Sequence, residues 1–375
     1  MKKNKNILVL NCGSATVKFK VFSSGLKELA NGLVEKIGLA GSFFNSSLDK
    51  EIEKIVVANH EQAIRLIIKK LEDQGFAKEN FTKIGHRVVH GGEKYVKPTL
   101  ITEKILKDLH EFDELAPLHN LKNLLGIKIC LELLPQAKNY AVFDTAFHAT
   151  MPDKAFQYAL PHEFYEDLRI RRYGFHGLSH WYMKERAGKI LKKSKPNLIT
   201  CHLGSGASVC AIKSGCSVDT SMGFTPLSGL MMMTRPGDFD PSIIFYLLRQ
   251  KYSLEEIEKL LNNYSGLKGV CDLPDLRDIL ILNGFKIPGY EFAKNRQPKI
   301  KKLAKLALDM YVYQIQKYLG AYFAVLGGKV DAIVFSAGVG ERNADIRRLI
   351  MKNLPIKTKI LVVPANEELV IAMSI

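Results

Sequence analysis

What the chain lacks narrows its class before any motif is read. No stretch approaches the roughly 18 consecutive apolar residues that a membrane span requires, so no membrane partner is expected. The opening Met1 to Lys5 is basic, but the apolar run after it, Ile7 to Leu10, is too short for the core of a signal peptide; a cytoplasmic location is expected. The six cysteines (Cys12, Cys130, Cys201, Cys210, Cys216, Cys271) form no C-x-x-C pair and no framework spacing, which suits free thiols in a reducing compartment and excludes a cysteine metal site. No low-complexity segment interrupts the chain. The common nucleotide signatures are missing too: there is no G-x-x-x-x-G-K-[ST], no G-x-G-x-x-G after a strand and no protein-kinase H-R-D set. Any phosphate grip has to be built differently.

What is present is ordinary in bulk. At 375 residues the chain exceeds what one core usually supports, so two domains with a cleft between them are expected. Its formal charge of +16 could serve nucleic acid or anionic small molecules. The densest basic runs are Lys192 to Lys195 and Lys299 to Lys305, and in the latter lysines alternate with apolar residues at helical spacing. They read as solvated helix faces, and no nucleic-acid partner is expected.

Short β-prone runs closed by glycine turns recur at Ile7 to Leu10, Leu198 to Thr200 and Ala332 to Phe335. Helical patterns lie between them, with Ala63, Ile64, Ile67, Ile68 and Leu71 on one face of Glu61 to Gln74, and a long apolar-rich stretch from Ile300 to Leu326. The alternation indicates an α/β protein. Ile7 to Ser14 is echoed by Leu198 to Ser205, and both loops return into strand-like segments, Val17 to Phe22 and Ala207 to Ile212. An ordinary hairpin would read the same way, but the echo also fits two similar halves, each carrying a hairpin whose turn exposes backbone N–H groups to phosphate. The Pro and Gly punctuation near Ala149 to Pro152 marks a boundary, giving domains 1–148 and 149–364, with 365–375 returning to the first.

Five groups of residues carry chemistry. In Asn11 to Lys18, Gly13 lets backbone approach an anion, Ser14 and Thr16 add hydroxyls, Lys18 adds charge, and Asn11 offers an oxygen to a metal or its water. Gly85 to Gly92 sets Arg87 among glycines and histidines, where its fork suits a carboxylate or phosphate, although a surface salt bridge would use the same residue. Asp144 ends an apolar run, the position of many catalytic groups in α/β folds and also of turn-capping aspartates. His176 stands on a glycine-flanked loop beside Phe175. Met222 to Pro241 supplies a second arginine, Arg235, in a turn-rich loop.

The segments NCGSATVKF, GHRVVHGGEKY, LAPLHN, VFDTAFHATMP, RRYGFHGLSH, HLGSGAS, DTSMGFTPLSGLMMMTRPGDFDP, FSAGVGER and PANEEL occur in order from Asn11 to Glu368, and with them the chain resembles the acetokinase family. That resemblance implies the duplicated ribonuclease-H-like fold shared by sugar kinases, Hsp70 and actin. It implies a reversible transfer of the ATP γ-phosphoryl group to acetate, with ADP and acetyl phosphate as products, Mg²⁺ (or Mn²⁺) as metal and a homodimeric state. Carried onto this sequence, Asn11 and Glu367 would position the metal. Arg87 and Arg235 would hold carboxylate and phosphoryl group, His176 would stabilise the transition state and Asp144 would orient the site. Val89, Leu118, Phe175 and Pro226 would surround the methyl group. ATP would meet Ser14, Thr16 and Lys18, then His202, Gly204, Ser205 and Gly206, and also Gly338, Gly340 and Glu341.

Elementary chemistry points the same way. A carboxylate is ionised at pH 7 and needs no general base, so the difficulty is anion meeting anion, which fixed cations relieve. Departures from the family pattern are Ser205 for asparagine, Ser228 for glutamate and Met233 for glycine, the last expected to narrow the loop beside Arg235. The region after Arg347 is shortened, so the terminal helix is expected to be largely missing and Glu367 to be the least secure ligand. Rival readings are a propionate or butyrate kinase, a sugar kinase using Asp144 as base, and a degenerate nucleotide-binding protein.

Overall fold

The run Ile7 to Leu10 forms the middle of a strand, β1 (Asn6–Cys12), because Leu8, Leu10 and Cys12 alternate into the core while Asn11 faces the other way. The computed structural model describes residues 5–49, 51–112, 120–290 and 298–375. These fall into two units, Met1–Ala149 with Asn366–Ile375, and Thr150–Ala365.

In the first unit, β1 turns at Gly13 into β2 (Thr16–Ser23), followed by β3 (Glu28–Glu35), β4 (Phe43–Ser46), β5 (Glu53–Lys54), β6 (Phe81–Val88), β7 (Thr99–Leu100) and β8 (Lys138–Phe143). The sheet order is β5-β4-β3-β2-β1-β6-β8-β7. β1, β2 and β3 pair antiparallel, whereas β6 lies parallel to β1 and β8 parallel to β6. The helix His60–Asp73 starts one residue before the apolar pattern because the Asn59 side chain accepts from Gln62 N at 3.0 Å and caps it. Its buried face, Ala63 to Leu71, packs with Val17, Phe19 and Ile84 and with Ile129 and Cys130 of the helix Asn120–Leu133.

The second unit repeats the plan with β9 (Leu198–Leu203), β10 (Ala207–Lys213), β11 (Cys216–Thr220), β12 (Ala332–Ser336) and β13 (Lys359–Val362) in the order β11-β10-β9-β12-β13. Again three strands run antiparallel and two join in parallel. The echo between the two hairpin sequences therefore marks equivalent strands, since β1-β2 and β9-β10 open the two sheets in the same topology. The long helical pattern forms Pro298–Val325, with Ala304, Leu308, Tyr311, Ile315 and Leu319 buried. No helix among the described residues is long and apolar enough to cross a membrane.

The terminal helix is present rather than missing. Glu367–Ser374 is capped by Asn366, whose Oδ1 accepts from Leu369 N at 3.3 Å and from Lys20 Nζ at 3.0 Å, and it buries Val370, Ile371 and Ala372. Eight residues suffice because Gly85 leaves β6 bare: a Cβ there would lie 2.3 Å from Ile371 Cγ2 and 3.1 Å from Ile375 Cδ1. Gly85→Ala should therefore force the helix outward and lower the urea-unfolding free energy by about 1 to 3 kcal/mol. An unchanged denaturation midpoint would show that the helix does not need this contact.

Candidate active site

Parallel pairing of β1, β6 and β8 brings three strand ends side by side, with Asn11, Arg87 and Asp144 at or next to those ends. Arg87, the penultimate residue of β6, donates from Nη2 to Asp144 Oδ2 at 2.8 Å and from Nη1 to Asn11 Oδ1 at 3.3 Å. Its Nε lies 3.7 Å from Glu367 Oε2 at the start of the terminal helix. Four residues singled out from the sequence thus meet within one unit. Asp144 is almost fully buried (1% exposed), and its backbone N–H is fixed by Val88 O at 2.9 Å.

Burial alone would lower the guanidinium pKa of Arg87, but the Asp144 and Glu367 carboxylates outweigh it and hold the group above its ordinary value. Glu367 is pushed up to about 7, first by burial, against the pull of Arg87 and with the added repulsion of Asp144 and Glu368; Lys18 pulls in the opposite direction. A carboxyl held in this state gains from an added cation.

The loops beyond the strand ends are clamped by asparagines that sequence reading passed over. Asn123 donates to Cys12 O at 2.9 Å and accepts from Val89 N at 3.1 Å, tying the first hairpin to the loop after β6. Asn120 accepts from His90 N at 3.2 Å. Val89 is buried at this junction, and Leu118 lies outside the described residues. Thr16 folds its hydroxyl over Gly13, where a Cβ would come within 2.7 Å of it, while Ser14 and Lys18 are exposed.

In the second unit the helix Gly177–Leu191 begins at His176, whose backbone is left-handed (φ 57°). His176 Nδ1 lies 2.9 Å from Ser208 Oγ, which also meets His180 Nε2 at 2.8 Å, and the ring stacks on His202 with centroids 4.1 Å apart. Gly206 is needed here because a Cβ would approach His176 Nε2 to 3.2 Å. Phe175, next in sequence, is fully buried.

Arg235 differs from Arg87. Its Nη1 donates to Pro226 O at 3.1 Å, bringing these two expected residues together, and among the described residues no carboxylate pairs with it. Burial depresses its pKa from the ordinary arginine value. The loop that carries it is set by Gly266 (φ 62°), where a Cβ would sit 2.2 Å from Met232 O. Met233, expected to narrow this loop, is held through its backbone, its N–H donating to Ser205 O at 3.3 Å.

A cavity of about 890 Å³ lies wholly within this unit, lined by Gly204, Ser205, Met233 and Gly338 and by Arg277 and Tyr290. Gly338 leaves open space, with no atom within 4 Å of an added Cβ. Gly340 instead packs on Leu203, and Glu341 accepts from Ala365 N at 2.9 Å. Arg277 was missed by sequence reading. It pairs with Asp275 (2.6 Å) and stacks on Tyr290, 4.1 Å from guanidinium to ring centre. The only signal was a charge-dense turn, Asp272 to Asp278, of a kind common on protein surfaces.

The chain is similar over nearly its whole length to known proteins. A family model described as "Acetokinase family" matches residues 6–358. The acetate kinase of Halothermothrix orenii is 43% identical over 98% of this chain and 97% of its own length. That of Pseudothermotoga lettingae is 44% identical over 98% and 95%. Among solved structures, a propionate kinase from Francisella tularensis superposes with a TM-score of 0.90 at 36% identity, covering 99% of this chain and 98% of that one. The acetate kinase of Porphyromonas gingivalis gives a TM-score of 0.85 at 38% identity, with 98% of each chain covered.

The raised pKa of Glu367 has a definite sign. Because its folded value lies above the usual 4.5, the folded state binds the extra proton between about pH 4.5 and 7, and stability falls as pH rises through that window. Glu367→Gln should match the parent in stability below that window and, in metal-free buffer above pH 7, exceed it by about 3 kcal/mol. Urea titrations at pH 4.5, 6 and 8 read the difference; equal curves at pH 8 would reject it.

Proposed function

We propose, from the premise that the chain belongs to the acetokinase family, that it is a phosphotransferase moving the γ-phosphoryl group of ATP reversibly to acetate. An acetate oxygen attacks phosphorus in line. The new P–O bond forms as the bond to the β-phosphate bridging oxygen breaks, and ADP leaves with that electron pair. No proton has to move, since the acid is already ionised.

The observation that carries this reading is Arg235, a guanidinium depressed by burial and lacking a carboxylate partner among the described residues. A cation in that state is costly unless an anion completes it. We assign it, with Arg87, to the substrate carboxylate and the transferring phosphoryl group, and His176 to the charge that develops in the transition state. Asp144 holds the Arg87 fork in one orientation. Ser14, Thr16 and Lys18 of the first hairpin, and His202, Gly204, Ser205 and Gly206 of the second, are assigned to ATP, with Gly338 on the nucleotide cavity. For Gly340 and Glu341 the assignment is to the shape of that cavity's edge, because one packs on β9 and the other binds Ala365. Val89, Phe175 and Pro226 are assigned to the methyl group.

The donors suit Mg²⁺, with Mn²⁺ as the alternative. No group of three or more His, Cys, Asp or Glu residues among those described could hold a metal, but Mg²⁺ characteristically uses one or two carboxylates and keeps waters and phosphate oxygens. Asn11 and Glu367 would hold it, and the protonation tendency of Glu367 fits a carboxyl awaiting a cation. Bound there, the ion would neutralise phosphate charge. None of the six cysteines is in a disulfide and five are buried, which supports a reducing, cytoplasmic setting.

We also assign a homodimeric state. The helix Ser242–Arg249 buries none of its residues and exposes Ile243 (46%), Phe245 (58%), Tyr246 (57%) and Leu248 (41%), an apolar strip suited to a second copy. A Phe245→Glu, Tyr246→Glu double variant should elute as a monomer in light-scattering chromatography; a persistent dimer would place the interface elsewhere.

Arg235→Ala supplies the central test. In a hydroxamate assay with ATP, Mg²⁺ and an acid series, the parent should favour acetate over propionate and butyrate in kcat/KM, and the variant should lose at least about a hundredfold in rate. Its melting temperature should stay level or rise, because the change removes a partly buried charge without a carboxylate partner among the described residues. Near-normal turnover would overturn the assignment.

A further inference from the structure

The first hairpin turn is held from behind by two side chains that no motif includes. His60, the first residue of the helix His60–Asp73, meets Gly13 O at 2.8 Å through Nε2. A carbonyl oxygen only accepts, so the imidazole proton sits on Nε2. Lys122, in the first turn of the helix Asn120–Leu133, donates to Ser14 O at 2.6 Å. The third carbonyl of the turn, Ala15, accepts from Ile37 N at 3.0 Å.

Both helices lie on one face of the sheet. Leu8, Leu10 and Cys12 of β1 and Val17, Phe19 and Val21 of β2 share a core with Ile64, Ile67, Ile129 and Cys130. By strand alternation Asn11 and Lys18 face the opposite side, as do Gly85 and Arg87 of β6, since Ile84 belongs to the helix-side core and Gly85 touches Ile371 of the terminal helix. In a trans peptide the C=O of one residue and the N–H of the next point in opposite directions, and the peptides of this turn are trans. Pulling the carbonyls of Gly13 and Ser14 toward the helices therefore sends the N–H groups of Ser14 and Ala15 to the other face. Among the described residues neither of those N–H groups has an acceptor.

We propose that His60 and Lys122 are positioning residues for phosphate: they hold Gly13 O and Ser14 O on the helix side so that the Ser14 and Ala15 N–H groups point, beside Asn11, Lys18 and Arg87, at a phosphate oxygen of ATP. Two successive amides aimed at one point make a small anion nest. Lys122 adds to it, because a cation on the Ser14 carbonyl polarises the peptide whose N–H belongs to Ala15. Burial first, and then the Lys122 charge, lower the His60 pKa against the Gly13 hydrogen bond that raises it, a net shift toward the neutral imidazole donor. This rests on the reading that the first hairpin meets ATP.

Calorimetric titration of MgATP, without any acid, into the parent and into Lys122→Met, Lys122→Arg, His60→Leu and His60→Gln reads the nest directly. Lys122→Met and His60→Leu should weaken MgATP binding about 5- to 20-fold, whereas Lys122→Arg and His60→Gln, which keep a donor, should stay within about threefold of the parent. In the hydroxamate assay the KM for acetate should remain within about twofold in all four. Unchanged MgATP affinity in Lys122→Met and His60→Leu overturns the proposal, as does a lowered melting temperature with ATP and acetate affected alike. A parent that binds MgATP but forms no hydroxamate would sink the acetate reading and leave the nest to stand or fall on the titration.

Discussion

The partly buried ion pair between Arg87 and Asp144 is the interaction on which the first unit's site depends. Desolvating both charges is expensive, and a surface pair would add little, so the pair is better understood as fixing geometry than as adding stability. Asp144 is held by its own backbone bond to Val88 and by burial, and it fixes the direction of the Arg87 fork. The fork in turn gathers Asn11 from β1 and Glu367 from the terminal helix. None of this would meet if β1, β6 and β8 were not parallel, because only parallel pairing puts three strand ends at the same edge.

The two arginines assigned to the substrate in the proposed reaction sit in different electrostatic surroundings. Arg87 already carries carboxylates and remains strongly cationic, so its charge is partly spent within the protein. Arg235 is depressed by burial and bonded to a carbonyl, so its charge is available to an incoming anion. The duplicated fold supplies two loops of the same kind, and their surroundings have diverged: the first hairpin is backed by a histidine and a lysine, and the second is wired through Ser208 into a set of histidines.

Much of this was legible in the sequence because it is local. The hairpin at Asn11 to Lys18 and its echo, the helix over Glu61 to Gln74 and the long helix over Ile300 to Leu326 follow from glycine and periodicity, whereas the Asn59 cap that starts the first helix earlier was not read. Arg87, Asp144 and His176 stood out through glycine neighbours or strand ends. What escaped depends on residues far apart in sequence. Asn120 and Asn123 resemble any helix start until their carbonyl and N–H partners 30 or more positions away are known. His60 looked like the edge of an amphipathic helix, and Lys122 like one lysine among many. The terminal helix was underestimated because its anchoring lies in what Gly85 lacks, and no pattern within 367–374 records that.

That helix also makes the first unit discontinuous. The chain leaves it at Ala149 and returns at Asn366, after roughly two hundred residues spent in the second unit. The entropic cost of closing so long a loop grows only as the logarithm of its length, about 0.6 kcal/mol per doubling, so equilibrium stability hardly registers it. Folding rate and divisibility do. Contacts of such high sequence separation form late, so the strip of β6 beside Gly85 stays uncovered while the second unit is being organised. Excision of residues 1–149 would then yield a sheet that keeps Arg87 and Asp144 but has lost both a lid over β6 and the carboxylate of Glu367, making the two units separable as shapes but not as working parts.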